Sequence, residues 1–316
     1  MFEHPQQGAS PPPPRPPLAP PPGSVTGVKA IFWNERELRA GWRLAIFILV
    51  VFLFAMVGTL ILMALRAPLL TRGNIMPAAM MLQEGTQLIA VLAAASVMGL
   101  AEGRPFGAYG LPRAGAFGGR FWQGVVWGLA MVTADIFLIR AFGGLSFGRF
   151  ALSGAEIWRY AAIWAGVFLL VGFFEEFLFR GYAQFTLATG MGFWGAATTL
   201  SLGFGAVHLF NGGEDWAGAL SVFVIAMFFC LTLRRTGNLW FAVGVHAAFD
   251  WGESYLYSVP DSGIIAPGHL LNTTMHGPAW LTGGTVGPEG SVMAFVVVAA
   301  AAVVFARVYP AREHLN

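Results

Sequence analysis

Cysteine is almost missing from this 316-residue chain. Cys230 is the only one, which excludes a disulfide framework and a thiolate metal centre. Charge is scarce too: Asp, Glu, Lys and Arg make up 11% of the chain, where soluble domains carry about 25%. That shortage, with 56% hydrophobic residues and a mean hydropathy of +0.65, excludes an ordinary soluble fold. No basic cluster is present, and a net charge of +2 offers nucleic acid no handle. There is no internal repeat and no second, soluble domain. No lipidation signature is found, since residue 2 is Phe and the chain ends Glu-His-Leu-Asn. The His-Glu-x-x-His pattern of soluble zinc proteases is also missing.

Long apolar runs are what the chain has in quantity. They follow a Pro-rich stretch, Pro5 to Pro22, with too little apolar content for a cleavable signal. Residues 1–28 are expected to be a solvated, disordered tail, polyproline-like where ordered, and 29–316 a single membrane domain. A spanning helix needs about 20 apolar residues. Runs at 44–65, 76–100, 121–142, 157 to about 187, 193–210, 217–233, 239–257 and 292–308 predict an all-α polytopic bundle of about eight transmembrane helices. Gly- and Pro-rich stretches join them, among them Gly190-Met191-Gly192. The longest connection, 258–290, is expected to be an external loop or a partial lid.

Arginine gives the orientation. The N-terminal side, the connections at its level and the C-terminus carry Arg15, Lys29, Arg36, Arg39, Arg43, Arg104, Arg113, Arg120, Arg180, Arg234, Arg235, Arg307 and Arg312, against Arg66, Arg72, Arg140, Arg149 and Arg159 opposite. The positive-inside rule then places both termini in the cytoplasm.

Polar residues inside apolar runs mark candidate sites, because a charge at membrane depth costs a few kcal/mol on insertion scales. The densest group is Glu175-Glu176-Phe177-Leu178-Phe179-Arg180. Glu176 and Arg180, at i and i+4, share a helix face and can pair. Glu175 is rotated about 100° away, which leaves it to face a cavity and take a proton from water. The same three residues could equally form an interfacial network at a helix end. His208 ends Phe204-Gly205-Ala206-Val207-His208, where small residues permit close helix packing. His246 and Asp250 share a face at i, i+4, so the carboxylate can orient the imidazole. Each histidine could instead be a helix-packing hydrogen-bond group. One Glu and two His are also the ligand types of an open zinc site, so Glu175, His208 and His246 are the candidate metal ligands. Gln83, Glu84, Gln87 and Asp135 could line the same cavity or pair with one another.

Depth tests the convergence. If the fourth helix continues to about 187, Glu175 lies ~18 Å from its end, His208 ~22 Å into the fifth helix and His246 ~10 Å into the seventh. Tilt can level these. A helix stopping at Arg180 would leave Glu175 and His208 far apart in depth.

Glu175, Glu176 and Arg180, then Phe204 and His208, then His246 and Asp250, each set in an apolar run, resemble the motifs of the CAAX prenyl endopeptidase and bacteriocin-processing family of intramembrane proteases. Arg180-Gly181 also looks like the family's continuation, and the resemblance spans about 157–251. It implies an eight-helix bundle in a plasma membrane, bacterial in setting, with a cavity open to the cytosolic side and a peptide or lipidated peptide as substrate. It implies that Glu175 and His208 activate water and that His246, with the residue at 250, stabilises the oxyanion. A divalent metal such as zinc belongs to one version of this chemistry. Where the family pattern allows Asn, this chain has Asp250; an ionised Asp cannot donate to an oxyanion, so its expected part is to orient His246. A proton-coupled transporter and a non-catalytic scaffold or immunity protein are the alternative functions.

Overall fold

The computed structural model describes residues 27–35, 37–69 and 76–310. The Pro-rich tail, Arg36 and Arg72 lie outside the described residues. Two compact units divide the chain at Arg39. In the first, a single helical turn, α1 (Lys29–Phe32), is followed by a bridge between Trp33 and Leu38.

The second unit is almost wholly helical. Its elements are α2 (Ala40–Ala64), α3 (Pro77–Glu102), α4 (Gly119–Ala141), α5 (Ala155–Arg180), α6 (Tyr182–His208), α7 (Trp216–Thr236), α8 (Trp240–Trp251), α9 (Ala279–Thr282) and α10 (Val292–Val308). A π-turn, Gly252–Tyr257, prolongs α8. Among the described residues five stretches are long and apolar enough to cross a membrane: Ala40–Ala64, Pro77–Glu102, Gly119–Ala141, Ala155–His208 and Trp216–Thr236, with Val292–Val308 a shorter apolar helix. The chain is thus an integral membrane protein. The departure from an all-α fold is small: β1 (Leu145–Ser146) pairs antiparallel with β2 (Thr274–Met275).

Ala155–His208 is two helices, and the break differs from expectation. Helix α5 stops at Arg180, not near 187, because Gly181 leaves the helical region (φ −82, ψ −124). A side chain at 181 would put its Cβ 2.3 Å from the Phe177 carbonyl oxygen, so the chain passes this point only as glycine. The rod nevertheless continues. Tyr182 packs on Phe47 of α2, and Arg43, a turn nearer the start of α2, donates to Thr189. Residues 182–190 therefore run on toward the end of the bundle where α2 begins. The reversal comes at Gly192 (φ 74, ψ 165), a left-handed conformation that glycine adopts without penalty. Thus the depth argument survives although the helix is broken.

Helix α8, which carries His246, is gripped from two sides by glycines. A Cβ on Gly244 would meet the Phe121 carbonyl oxygen at 2.2 Å; one on Gly124 or Gly128 would meet the carbonyls of Phe241 and Val245 at 2.1 and 2.3 Å. The α4 and α8 backbones are in contact, as small-residue spacing in membrane helices allows. On the other flank Gly172 of α5 lies against His246 and Ala247. Helix α7 starts on a capping Asp215, whose Oδ1 accepts from the amides of Ala217 and Gly218.

Candidate active site

Glu175, His208, His246 and Asp250 line one cavity of about 270 Å³. Its walls come from the first turns of α3 (Met80, Gln83, Glu84), the middle of α5, the last turn of α6, α7 and α8, and its far end from the 258–290 connection (Asp261, Ser262, Ile264, Ala266) with Glu289. The connection therefore covers the cavity.

The buried base of the site is a chain of three groups. Glu176 and Arg180, 0% and 1% exposed, pair at 3.2 Å across one helical turn. The same oxygen, Glu176 Oε1, accepts from His246 Nδ1 at 3.0 Å. Glu176 thus serves both the ion pair and the imidazole, a link across 70 residues that local spacing does not reveal. The imidazole is also stacked on Phe229 (5.4 Å between ring centres, 11° apart). With one nitrogen hydrogen-bonded and one face covered, its orientation is fixed. Arg180 has further company in the rings of Phe204, Phe229 and Phe179, at 4.5, 5.6 and 5.9 Å. Such cation–π contacts suit a guanidinium removed from water.

The opposite nitrogen, His246 Nε2, faces the cavity. Asp250 Oδ2 lies 3.4 Å and Glu175 Oε2 3.6 Å from it. The orienting group on Nδ1 is therefore Glu176, and Asp250 shares Nε2 with Glu175. Glu175 and Asp250 are both partly exposed to the cavity, whereas Glu176 is sealed off.

His208 Nδ1 lies 2.9 Å from its own turn's carbonyl, Phe204 O. A carbonyl only accepts, so Nδ1 carries a proton, and in the neutral ring Nε2 holds the lone pair. The Phe204 ring meets the imidazole edge-on at 4.6 Å. Of the other polar residues in apolar runs, Gln83 and Glu84 line the cavity, and Gln87 donates to Glu84 at 3.3 Å. Asp135 does not line it; it is buried on α4.

Residues 156–252 match the family model described as type II CAAX prenyl endopeptidase Rce1-like. This stretch of the chain is similar to an Rce1-like domain. Among curated proteins nothing matches the chain. The match runs from the start of α5 to the end of α8, the helices that carry Glu175 to Asp250, and the family implies an intramembrane protease acting on a peptide.

Two features of the site do not follow from apolar runs and motif spacing. Asn211, Ser254, Asp261, Ser262 and Glu289 also line the cavity. They come from a short loop and from a connection without periodicity. The second concerns the metal. Among the described residues the acids and imidazoles whose ligand atoms gather within 4.8 Å are Glu253, Asp261 and Glu289. Glu175, His208 and His246 are not such a set in this arrangement.

Proposed function

We propose that this protein is an intramembrane endopeptidase that hydrolyses a peptide bond of a membrane-associated substrate with a water activated by Glu175 and His208. The observation that carries the reading is the sorting of two adjacent carboxylates: Glu176 is buried on Arg180 and His246, and Glu175 faces the cavity. Glu175 is then the group free to take a proton. The Nε2 lone pair of His208 is the second acceptor at the cavity wall. Water loses a proton to this pair as its oxygen attacks the carbonyl carbon. Negative charge gathers on the carbonyl oxygen, and His246, held by Glu176 at Nδ1, donates to it from Nε2. The proton held on Glu175 passes to the leaving amine when the C–N bond breaks. Asp250 keeps Nε2 aligned until the oxyanion replaces it as acceptor.

The apolar walls, among them Phe168, Val171, Ile225 and Phe249, suit the aliphatic part of a lipidated or leader-bearing peptide. Bundle geometry bears on access. The lining residues lie at the starts of α3 and α7 and the end of α6, away from the end that carries Arg43, Arg104, Arg120, Arg234 and Arg307. With the termini in the cytoplasm, the cavity belongs to the opposite half of the membrane. A cavity open to the cytosolic side requires the reverse orientation, so these two expectations exclude each other; we favour the orientation set by arginine.

The test is cleavage of a prenylated CAAX-type peptide and of a leader-bearing peptide by the purified protein in liposomes. Glu175→Gln and His208→Ala should each abolish cleavage in a folded, inserted protein. Full activity in either removes the assigned roles. Solute or proton flux that persists in Glu175→Gln liposomes would favour a transporter.

A further inference from the structure

Three acids converge at the end of the bundle closed by the 258–290 connection. Glu253 lies in the π-turn after α8, and Asp261 and Glu289 lie in or beside the connection. One carboxylate oxygen from each is within 4.8 Å of the other two. Asp261 and Glu289 are held in place: Ser254 Oγ donates to Asp261 Oδ2 at 2.9 Å, and the amide and hydroxyl of Ser262 donate to Glu289 Oε1 at 2.6 and 2.7 Å. Glu253 is different. It is 0% exposed, and neither of its carboxylate oxygens has a hydrogen-bond partner. A buried carboxylate with no donor is costly unless it takes up a proton or a cation meets it. The groups that act on it electrostatically are all acids: Glu289, Asp261, Asp135 and Asp250. Asp135, on α4, is equally buried.

We infer that Glu253, Asp261 and Glu289 form a binding site for a hard divalent cation, calcium by class, which fastens the 258–290 connection to the end of α8. The donor set is oxygen only, which suits calcium and not the nitrogen and sulfur preference of zinc. Calcium also accepts irregular carboxylate geometry and longer bonds than magnesium. Asp261 and Glu289 line the cavity as well, so an ion can reach the site from there. The site shares the cavity with the water-activating groups but does not depend on whether the chain cleaves peptides. Its place one helical turn beyond Asp250 means that the ion also steadies the end of α8.

The experiment is equilibrium dialysis of the full-length protein in detergent micelles against Ca²⁺, with Mg²⁺ as competitor. The wild type should bind one Ca²⁺ per chain below about 1 mM, within the range of weak oxygen-ligand sites. Glu253→Gln should weaken binding at least tenfold, and Glu175→Gln should leave it unchanged. If Glu253→Gln fails to elute as a folded monodisperse species, Glu289→Gln takes its place with the same expected loss. No Ca²⁺ bound by the wild type at about 1 mM, or wild-type affinity in the variants, overturns the site; Mg²⁺ binding as tightly as Ca²⁺ overturns the choice of ion.

Discussion

Removing Glu176 separates its two duties, one to the fold and one to the site. Its Oε1 meets Arg180 at 3.2 Å and His246 at 3.0 Å, and neither Glu176 nor Arg180 sees solvent. Breaking one side of a buried ion pair costs about 3–5 kcal/mol, because a charge is stranded. In Glu176→Met the stranded charge is Arg180, whose guanidinium still lies 4.5 Å from the Phe204 ring. Cation–π contacts without water are worth about 2 kcal/mol, so the low end of the range, about 3 kcal/mol, is expected. Arg180→Met should cost a similar amount. The double variant strands no charge and fills the same space with apolar atoms. It should be at least 2 kcal/mol more stable than the sum of the singles predicts. Activity should follow a different rule: both variants lacking Glu176 leave His246 Nδ1 without its acceptor and should cleave at least about 100-fold more slowly, as expected for a misaligned oxyanion donor. Unfolding by SDS titration in mixed micelles gives the stabilities, and single-turnover cleavage gives the rates. Additive losses within about 0.5 kcal/mol, together with a fully active double variant, would refute the linkage.

Three more outcomes follow from the geometry. Asp250→Asn should keep cleavage within about tenfold, since an amide can still contact His246 and can also donate to the oxyanion, whereas His246→Ala should lose about 100- to 1000-fold in kcat. Gly244→Val would force a Cβ to 2.2 Å from the Phe121 carbonyl oxygen, so it should destabilise by more than the usual ~1–3 kcal/mol of overpacking and spoil the site by parting α4 from α8, as SDS titration and cleavage would show. Impermeant maleimide applied to intact cells should label Ile265→Cys, in the connection over the cavity, and not Ala114→Cys, between α3 and α4; the reverse pattern would put the cavity on the cytosolic side.

Much of this architecture can be read from the residues, for a physical reason. In a bilayer the backbone must satisfy itself within each helix, so apolar runs map directly onto elements. Polar residues are expensive there, so Glu175, Glu176, Arg180, His208 and His246 stand out as outliers. What stayed hidden involves partners far apart in sequence. The bond from Glu176 to His246 crosses 70 residues, and the pairing of Glu176 with Arg180 conceals it because both use Oε1. Asp261 and Glu289 sit among Gly and Pro residues, where no period assigns a face. The halt at Gly181 also gave no warning. The run remains apolar past it, and only the approach to the Phe177 carbonyl explains why the helix stops there.

The central claim is that Glu175, at the cavity wall, makes this protein a protease. Comparing peptide termini in membranes of cells carrying the wild type with those carrying Glu175→Gln at equal abundance tests it most directly. Termini that appear only with the wild type, traceable to membrane-associated proteins, are the predicted result. Identical termini in both would contradict it.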